Sequence, residues 1–516
     1  MAEKKSNRVI AKNTMFLYFR MMVTMVISLF TSRVILQVLG VDDYGIYKAV
    51  GGIVGMLSFV NNALATSSSR FLTYGLGEGD ESKLKRIFST VLTAHVCLAV
   101  IIMILAETIG LWFLYNKMII PADRMGAAVY VFHISIITTF FTLTQVPYNA
   151  SIIAHEKMTV YAYVSIVEAV LKLVIVYMLL IGNIDKLVLY ATLLCLLSVG
   201  IRLFYRYYCS RRFKEISHKL TFDREIFKEI ISFSGWSLFS GASIALNNQG
   251  ILILLNMFFA PAVVTARSIS IQVNGLAHQF VSNFQTAANP QIVKRYAAGD
   301  QKGSKQLLLQ TTRYSYYLMF ILALPIFFAA HPMLELWLGI VPEYADVFLQ
   351  LIVIQSLFQI FDSSFYRALY VKGQIKENAL ISPLLGFAQF PIVYILFRLG
   401  FSPIALSWAS IVTYAILAFV VKPILVIRIA NYTWKDILSA LLPCLRVTVA
   451  SIPLPLVVHL LLRHQSLGTF ASFVILGGVS ALSAGLVIWT IGLSSETRHK
   501  ILVAVRSRLH IKGEKD

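Results

Sequence analysis

Charged residues are scarce in this chain. They make up 14% of its 516 residues, against about 25% in a soluble globular protein, while 58% are hydrophobic and the mean hydropathy is +0.74. That shortage excludes a soluble domain and predicts an all-α polytopic membrane protein, since a helix in lipid satisfies its own backbone. Cysteine is scarce too. Cys97, Cys195, Cys209 and Cys444 sit in or beside apolar runs with no paired spacing, which excludes a disulfide framework and a thiolate metal site. The histidines lack metal-ligand spacing, and His95 and His133 are expected to be hydrogen-bonded bundle residues. Enzyme signatures are missing: there is no Gly-rich phosphate loop, Walker lysine, GxSxG elbow or HExxH. No small-residue cleavage site follows the first apolar run, which is therefore expected to be retained as a span.

What the chain does have is apolar runs of about 20 residues, the length that crosses a bilayer. They recur at 14–38, 44–69, 86–115, 126–150, 158–181, 187–209, 228–256, 262–288, 306–331, 346–370, 378–399, 403–430, 437–462 and 468–493. These predict about fourteen transmembrane helices. Basic residues number 45 against 25 acidic ones, and their placement sets an orientation, because cytoplasmic joints retain Lys and Arg. With both termini cytoplasmic, 34 of the 45 fall in the N-terminus, the even-numbered joints and the tail, including 70–86, Lys157, 202–228, 294–313, 367–376 and 422–435. The net charge of +20 is thus topological, and a nucleic-acid partner is excluded.

The longest polar joint divides the chain. The expected organisation is a cytoplasmic N-terminus at 1–13, an N-lobe of six helices at 14–209, a basic cytoplasmic linker at 210–227, a C-lobe at 228–430, two further helices within 431–493 and a basic cytoplasmic tail at 494–516. The halves resemble one another. Gly79–Asp80 and Gly299–Asp300 match at an offset of about 220 residues, and Lys48 and Arg267 each lie six residues past a helix start at Asp42 or Pro261. Both halves begin inside, so the repeat is parallel, and two pseudo-symmetric lobes around a central cavity are expected.

The stretch from Pro261 to Pro290 is long enough to cross a bilayer, yet its apolar stripe is narrow: Ile269, Val273, Leu276, Phe280 and Phe284. Its other faces carry Arg267, Gln272, Asn274, His278, Gln279 and Asn283. Unpaired polar groups in hydrocarbon cost about several kcal/mol each. Such a helix therefore turns those faces to a water-filled cavity, or is held inside a bundle by hydrogen bonds. The second helix adds a small and polar face that includes Lys48, Gly52, Gly55, Ser58 and Asn62, with Gly51 and Gly55 as a close helix contact. Arg20 and Arg33 lie within the first helix, where they either snorkel or line the cavity. Glu168 and Lys172, four apart, are expected to pair, and Asp362 with Arg367 resembles a pair near a cytoplasmic helix end, while Glu107 has no evident partner. The candidate substrate-binding set is Arg33, Lys48, Asn62, Arg267, Gln272, Asn274, His278, Gln279 and Asn283, with no catalytic or metal-ligating residue. Bases exceed acids among these groups, which suits an anionic substrate such as a phosphate or pyrophosphate. The last two apolar runs could flank a groove for a lipid tail. With no ATP motif, transport would run passively or on a gradient of an ion such as Na or H, and no resident cofactor is expected.

The run TSRVILQVLGVDDYGIYKAVGGIVGMLSFV, with Leu39, Gly40, Tyr44, Gly45 and Tyr47 in an LGxxxYGxY joint, resembles the polysaccharide flippase family of the multidrug/oligosaccharidyl-lipid/polysaccharide exporter superfamily. ARSISIQVNGLAHQFVSNFQTAANPQIVKRYAAGD resembles the branch common among bacterial lipopolysaccharide and capsule transport proteins; the second half has PAVVTAR where the first has its YGxY joint. The resemblance implies two helical lobes around a cationic cavity. It implies alternating-access flipping of undecaprenyl-pyrophosphate-linked oligosaccharide across the bacterial inner membrane for O-antigen or capsule. Membrane lipids, a polysaccharide polymerase and glycosyltransferases would be its partners. A lipid-linked peptidoglycan-precursor flippase and a cation-coupled drug exporter of the same superfamily are the alternatives. A membrane-embedded polymerase would need a large outward loop, and a scaffold would need no path.

Overall fold

In the computed structural model, which describes residues 2–503 apart from 58, 156, 182–183, 217–221, 375, 464, 466–467 and 500–501, the described residues are helical and contain no strand. The α-helices in chain order are α1 (Ala2–Leu39), α2 (Val41–Leu57), α3 (Phe59–Glu78), α4 (Glu81–Leu105), α5 (Leu111–Lys117), α6 (Met125–Ala154), α7 (Met158–Met178), α8 (Lys186–Arg212), α9 (Arg224–Ala245) and α10 (Ile251–Phe258). They continue with α11 (Pro261–Ala297), α12 (Gln301–Phe328), α13 (Ala330–Leu338), α14 (Ala345–Lys372), α15 (Lys376–Arg398), α16 (Ala405–Ile416), α17 (Lys422–Ala430), α18 (Trp434–Ser451), α19 (Pro453–Leu462) and α20 (Thr469–Val487). Single π-helical turns join α4 to α5, α9 to α10 and α16 to α17, so each pair runs on as one helix. Ten described helices are long and apolar enough to cross a membrane, eleven if α12 and α13 count as one span bent by 81°. The bend has a local cause: Pro332 lacks the N–H that would bond the Phe328 carbonyl four residues back.

Local chemistry sets the joints. Gly79 has φ +76° and Gly299 φ +83°, a backbone open to glycine at no steric cost. In each case the next residue caps the following helix: Asp80 accepts from the Lys83 amide, and Asp300 from the Gly303 amide at 2.8 Å. The offset match read from the sequence is therefore one turn-and-cap motif used twice.

Packing divides the chain into two units. The first holds Met1–Ser268, Leu338–Glu343 and Pro383–Pro403, and the second Ile269–Trp337, Tyr344–Ser382 and Ile404–Asp516. In the first unit α6 packs on α8, α1 on α7, and α3 on α6 and α9. Its core gathers Leu64, Phe88, Tyr148 and Tyr205, with Phe88 edge-on to Tyr148 at 5.6 Å between ring centres. In the second unit α12 packs on α14, α18 and α20 around Tyr316, Phe320, Phe361 and Val447. Three cysteines are buried as small core residues, but Cys97 is exposed.

The LGxxxYGxY joint has a physical reading in the first unit. Gly40, at φ +83°, turns α1 into α2. Gly45 lies so close to the start of α11 that an added methyl would sit 2.1 Å from the Pro261 carbonyl oxygen. Thr265 donates to the Val41 carbonyl at 2.7 Å across the same contact. A backbone atom cannot swing aside as a side chain can. Gly45→Ala is therefore expected to lose about 1–3 kcal/mol through overpacking, read as a lower thermal midpoint of the purified protein; an unchanged midpoint would refute this account of the motif.

Charged joints of the first unit gather in two groups. In one, Arg124 donates to Asp43 through Nε at 2.8 Å and Nη2 at 2.6 Å, and to Asp185 through Nη1 at 2.5 Å. That guanidinium holds the Asp185 carboxyl below the usual carboxylate range. In the other, His155 meets Glu215 at 2.7 Å, Lys214 meets Glu81 at 2.9 Å and Arg86 meets Asp223 at 3.7 Å.

Candidate functional site

The polar faces of α11 divide into two sets. Within the second unit, one set faces α14. Ser270 donates to the Ala345 carbonyl at 3.3 Å, and the Asn274 amide meets the Ser356 hydroxyl. His278 is hydrogen-bonded to Gln359, and Gln285 donates to Ser364 at 3.2 Å. This set glues one helix to another. The second set, Gln272, Gln279 and Asn283, is spaced seven and four residues apart on a different stripe. Gln279 is exposed and donates to the Asn283 side chain at 3.3 Å. Of the apolar stripe read from the sequence, Ile269 and Val273 are buried, but Phe280 and Phe284 are 37% and 38% exposed. The core-facing edge passes instead through Ala277 and Val281.

The other expected site residues lie in the first unit. Arg267 is buried at 3% exposure near the start of α11, and Arg33 is partly buried in α1. Lys48 lies over the Tyr44 ring at 5.2 Å. The side chains of Arg20 and Asn62 fall outside the described residues. Glycines on α2 do make a close contact, but through Gly52 and Gly55. A methyl at Gly52 would lie 3.6 Å from Gln249 Oε1 and one at Gly55 3.8 Å from Gln249, whereas Gly51 has nothing near. Gln249 belongs to the π-turn Leu246–Gly250, a device common at functional sites. Nearby, Ser243 donates to the Pro383 carbonyl at 3.2 Å and Asn247 to the Ser243 carbonyl at 2.9 Å. This polar turn was missed because its flanks read as one apolar run.

Three pairing expectations are decided by the structure. Glu168 and Lys172 pair at 2.6 Å, as expected. Glu107 does have a partner, His133 Nδ1 at 3.0 Å, supplied by a neighbouring helix. Asp362 does not pair with Arg367. It pairs with Lys422 at 3.1 Å, and Arg367 donates to Gln285 Oε1 at 2.8 Å and Asn289 Oδ1 at 2.7 Å. Five residues along a helix rotate a side chain about 140° away from its neighbour, so that spacing never favoured the pair.

Lys422 also corrects the joint count. It lies about 12 Å inside the end of α17, is 2% exposed, hydrogen-bonds Asn378 and sits 5.4 Å from the Tyr366 ring. Arg202, about 15 Å inside the end of α8, donates to Thr144 at 2.9 Å and lies over the Tyr148 ring at 4.9 Å. Both were counted with cytoplasmic joints, as was Arg367 in α14. The signal was available: Arg428 and Arg211–Arg212 mark the helix ends further on.

An apolar cavity of about 750 Å³ opens within the second unit between α12, α14, α18 and α19, lined by residues such as Phe320, Leu357, Phe361, Leu441, Leu445 and Leu456. The Tyr316 and Thr448 hydroxyls in its wall satisfy each other at 2.7 Å. Of the last two apolar runs only the first lines this space; α20 packs on α12 and α18.

No protein-family model matches this chain. No curated protein matches it in sequence. Solved structures do match in fold. The inward-facing conformation of a multidrug resistance MATE family transporter of the MOP superfamily superposes with a TM-score of 0.66 at 15% identity, covering 81% of this chain and 98% of that one. The lipid II flippase MurJ in an inward closed conformation gives 0.67 at 12% identity, covering 92% and 98%. A MOP superfamily transporter from Pyrococcus furiosus, described as having a binding pocket of reverse polarity, gives 0.56 at 16% identity, covering 82% and 96%. The chain is a multi-pass membrane protein, and its fold is similar to that of MOP superfamily transporters.

Proposed function

We propose that this protein is a flippase that carries undecaprenyl-pyrophosphate-linked oligosaccharide across the bacterial inner membrane by alternating access. The observation that carries this reading is the imbalance of charge within the helices. Among the described residues, three acids well inside the spans have basic partners: Asp362 has Lys422, Glu168 has Lys172 and Glu107 has His133. Several bases have no carboxylate partner among the described residues. Arg367 rests on two neutral amides, Arg202 on a hydroxyl and a ring, and Lys48 on a ring. An ion in the membrane core costs about 2.5–3.5 kcal/mol or more. A surplus of cations retained at that cost suits an anionic cargo, and a cation-coupled drug exporter would want the opposite sign.

On this reading Arg33, Lys48 and Arg267 hold the pyrophosphate, and Asn62, Gln272, Gln279 and Asn283 bond sugar hydroxyls, with Asn274 and His278 supporting α11 from the α14 side. The cavity beside α18 and α19 takes part of the lipid tail. The remaining long helices, α2 with α3, α9 with α10, and α11, complete fourteen spans. Lobes 14–209 and 228–430 follow the repeat that the two Gly–Asp caps support. Both termini are cytoplasmic, a placement supported by the ion pairs that join three charged joints of the first unit: Lys214 with Glu81, His155 with Glu215 and Arg86 with Asp223. Polymerase and glycosyltransferases would act before and after the step.

The peptidoglycan-precursor alternative keeps one specific support: the alignment with MurJ covers 92% of this chain, against 81% for the inward-facing MATE transporter. One experiment tests both. In proteoliposomes, the wild type is expected to invert a pyrophosphate-linked oligosaccharide between leaflets. Inversion of lipid II alone would move the assignment to the alternative, and inversion of neither by folded protein would end both.

A further inference from the structure

We propose that the small cavity where three joints of the second unit meet binds a phosphate group, carried on a lipid headgroup or free in solution. The cavity, of about 180 Å³, lies where the α11–α12 joint, the end of α14 and the α17–α18 joint converge. Lys302, Lys305 and Lys372 line it together with Tyr296 and Tyr432. The sequence had placed these joints on one side of the membrane by their charge; the fold brings their lysines around one space.

The charges in it do not cancel. Lys305 is neutralised by Asp436 and lies over the Tyr432 ring at 4.8 Å, so it is a wall. Lys372 donates one N–H to the Ile429 carbonyl at 2.5 Å, which anchors its ammonium and leaves two further donors. Lys302 is exposed at the rim. Neither Lys302 nor Lys372 pairs with a carboxylate among the described residues. Two ammonium-bearing side chains thus line one small cavity beside two aromatic rings. The space is smaller than the roughly 300 Å³ at which ligand pockets begin, so it suits one phosphate and not an oligosaccharide. Basic pockets between helix ends at the membrane surface hold anionic headgroups in this way. The site stands apart from the flippase reading; only the leaflet it faces rests on the orientation proposed above.

The test uses the full-length protein in neutral detergent and follows its thermal midpoint against short-chain phosphatidylglycerol, short-chain phosphatidylcholine and inorganic phosphate. Phosphatidylglycerol is expected to raise the midpoint where phosphatidylcholine does not, and its half-saturating concentration should rise about fivefold for each lysine removed, in Lys302→Gln and again in Lys302→Gln/Lys372→Gln. An equal rise with inorganic phosphate assigns the site to free phosphate, and a rise with the lipid alone assigns it to a headgroup. If the double variant does not fold, the exposed Lys302→Gln decides alone. The proposal is overturned if neither anion stabilises beyond phosphatidylcholine, or if Lys302→Gln responds as the wild type does.

Discussion

Lys422→Ala is expected to destabilise the protein by about 3–5 kcal/mol, the range for breaking a buried ion pair by removing one partner. The lysine is 2% exposed, and its removal strands Asp362, whose side chain is 23% exposed. Asn378 loses a partner as well but keeps the Ser382 hydroxyl at 3.0 Å. The size of the effect comes from the stranded carboxylate, not from any large net value of the pair. Removing both charges should therefore restore most of the loss, and Lys422→Met with Asp362→Leu is expected within about 1 kcal/mol of the wild type, since apolar replacements of buried pairs are often neutral or better. Thermal or denaturant unfolding in detergent reads both. Equal destabilisation by the single and double variants would show that Lys422 acts through packing alone.

Arg267→Ala is expected to abolish lipid-linked oligosaccharide inversion while the protein stays folded. Truncating a buried, charge-bearing contact costs about 2–5 kcal/mol, so a loss of about 30-fold or more in inversion rate is the expected floor. Because Arg267 is itself 3% exposed, the thermal midpoint must be measured beside the rate. Arg267→Lys separates charge from geometry: it keeps the cation but loses the planar fork that grips a pyrophosphate at two oxygens, and should fall between the wild type and Arg267→Ala. Inversion by Arg267→Ala at the wild-type rate would keep the flippase and discard this residue from its site.

Much of the architecture was legible in the sequence because the bilayer makes few demands and makes them everywhere. Backbone groups must be satisfied internally, so apolar runs of span length are helices, and the joints between them show as glycine, Asp caps and basic clusters. The Gly79–Asp80 and Gly299–Asp300 match was visible as letters at a fixed offset, and proved to be the same left-handed turn and side-chain cap. The LGxxxYGxY joint was equally visible, but its reason was not. Gly45 needs Pro261 beside it, more than two hundred residues away, before its missing side chain means anything.

Site residues were harder to read for a related reason. Helical periodicity tells which side chains share a face, and Ser270, Asn274 and His278 follow one another at four-residue spacing. It cannot tell what that face meets. The structure gives it α14, so those groups bond Ala345, Ser356 and Gln359, and leaves Gln279 exposed on another stripe. Pairing by sequence proximity succeeded for Glu168 and Lys172, one helical turn apart, and failed for Asp362, whose partner Lys422 comes from a helix sixty residues on.

The sequence by itself determined that this is a helical membrane protein, where its chain turns, and that its helices carry more base than acid, because those properties follow from composition and local spacing. Only the tertiary structure decided which charges are neutralised and which are left over. Partners for Asp362 and Lys305 come from distant helices and that for Glu107 from a neighbouring one, and electrostatic balance depends on distance in space, which no local pattern encodes.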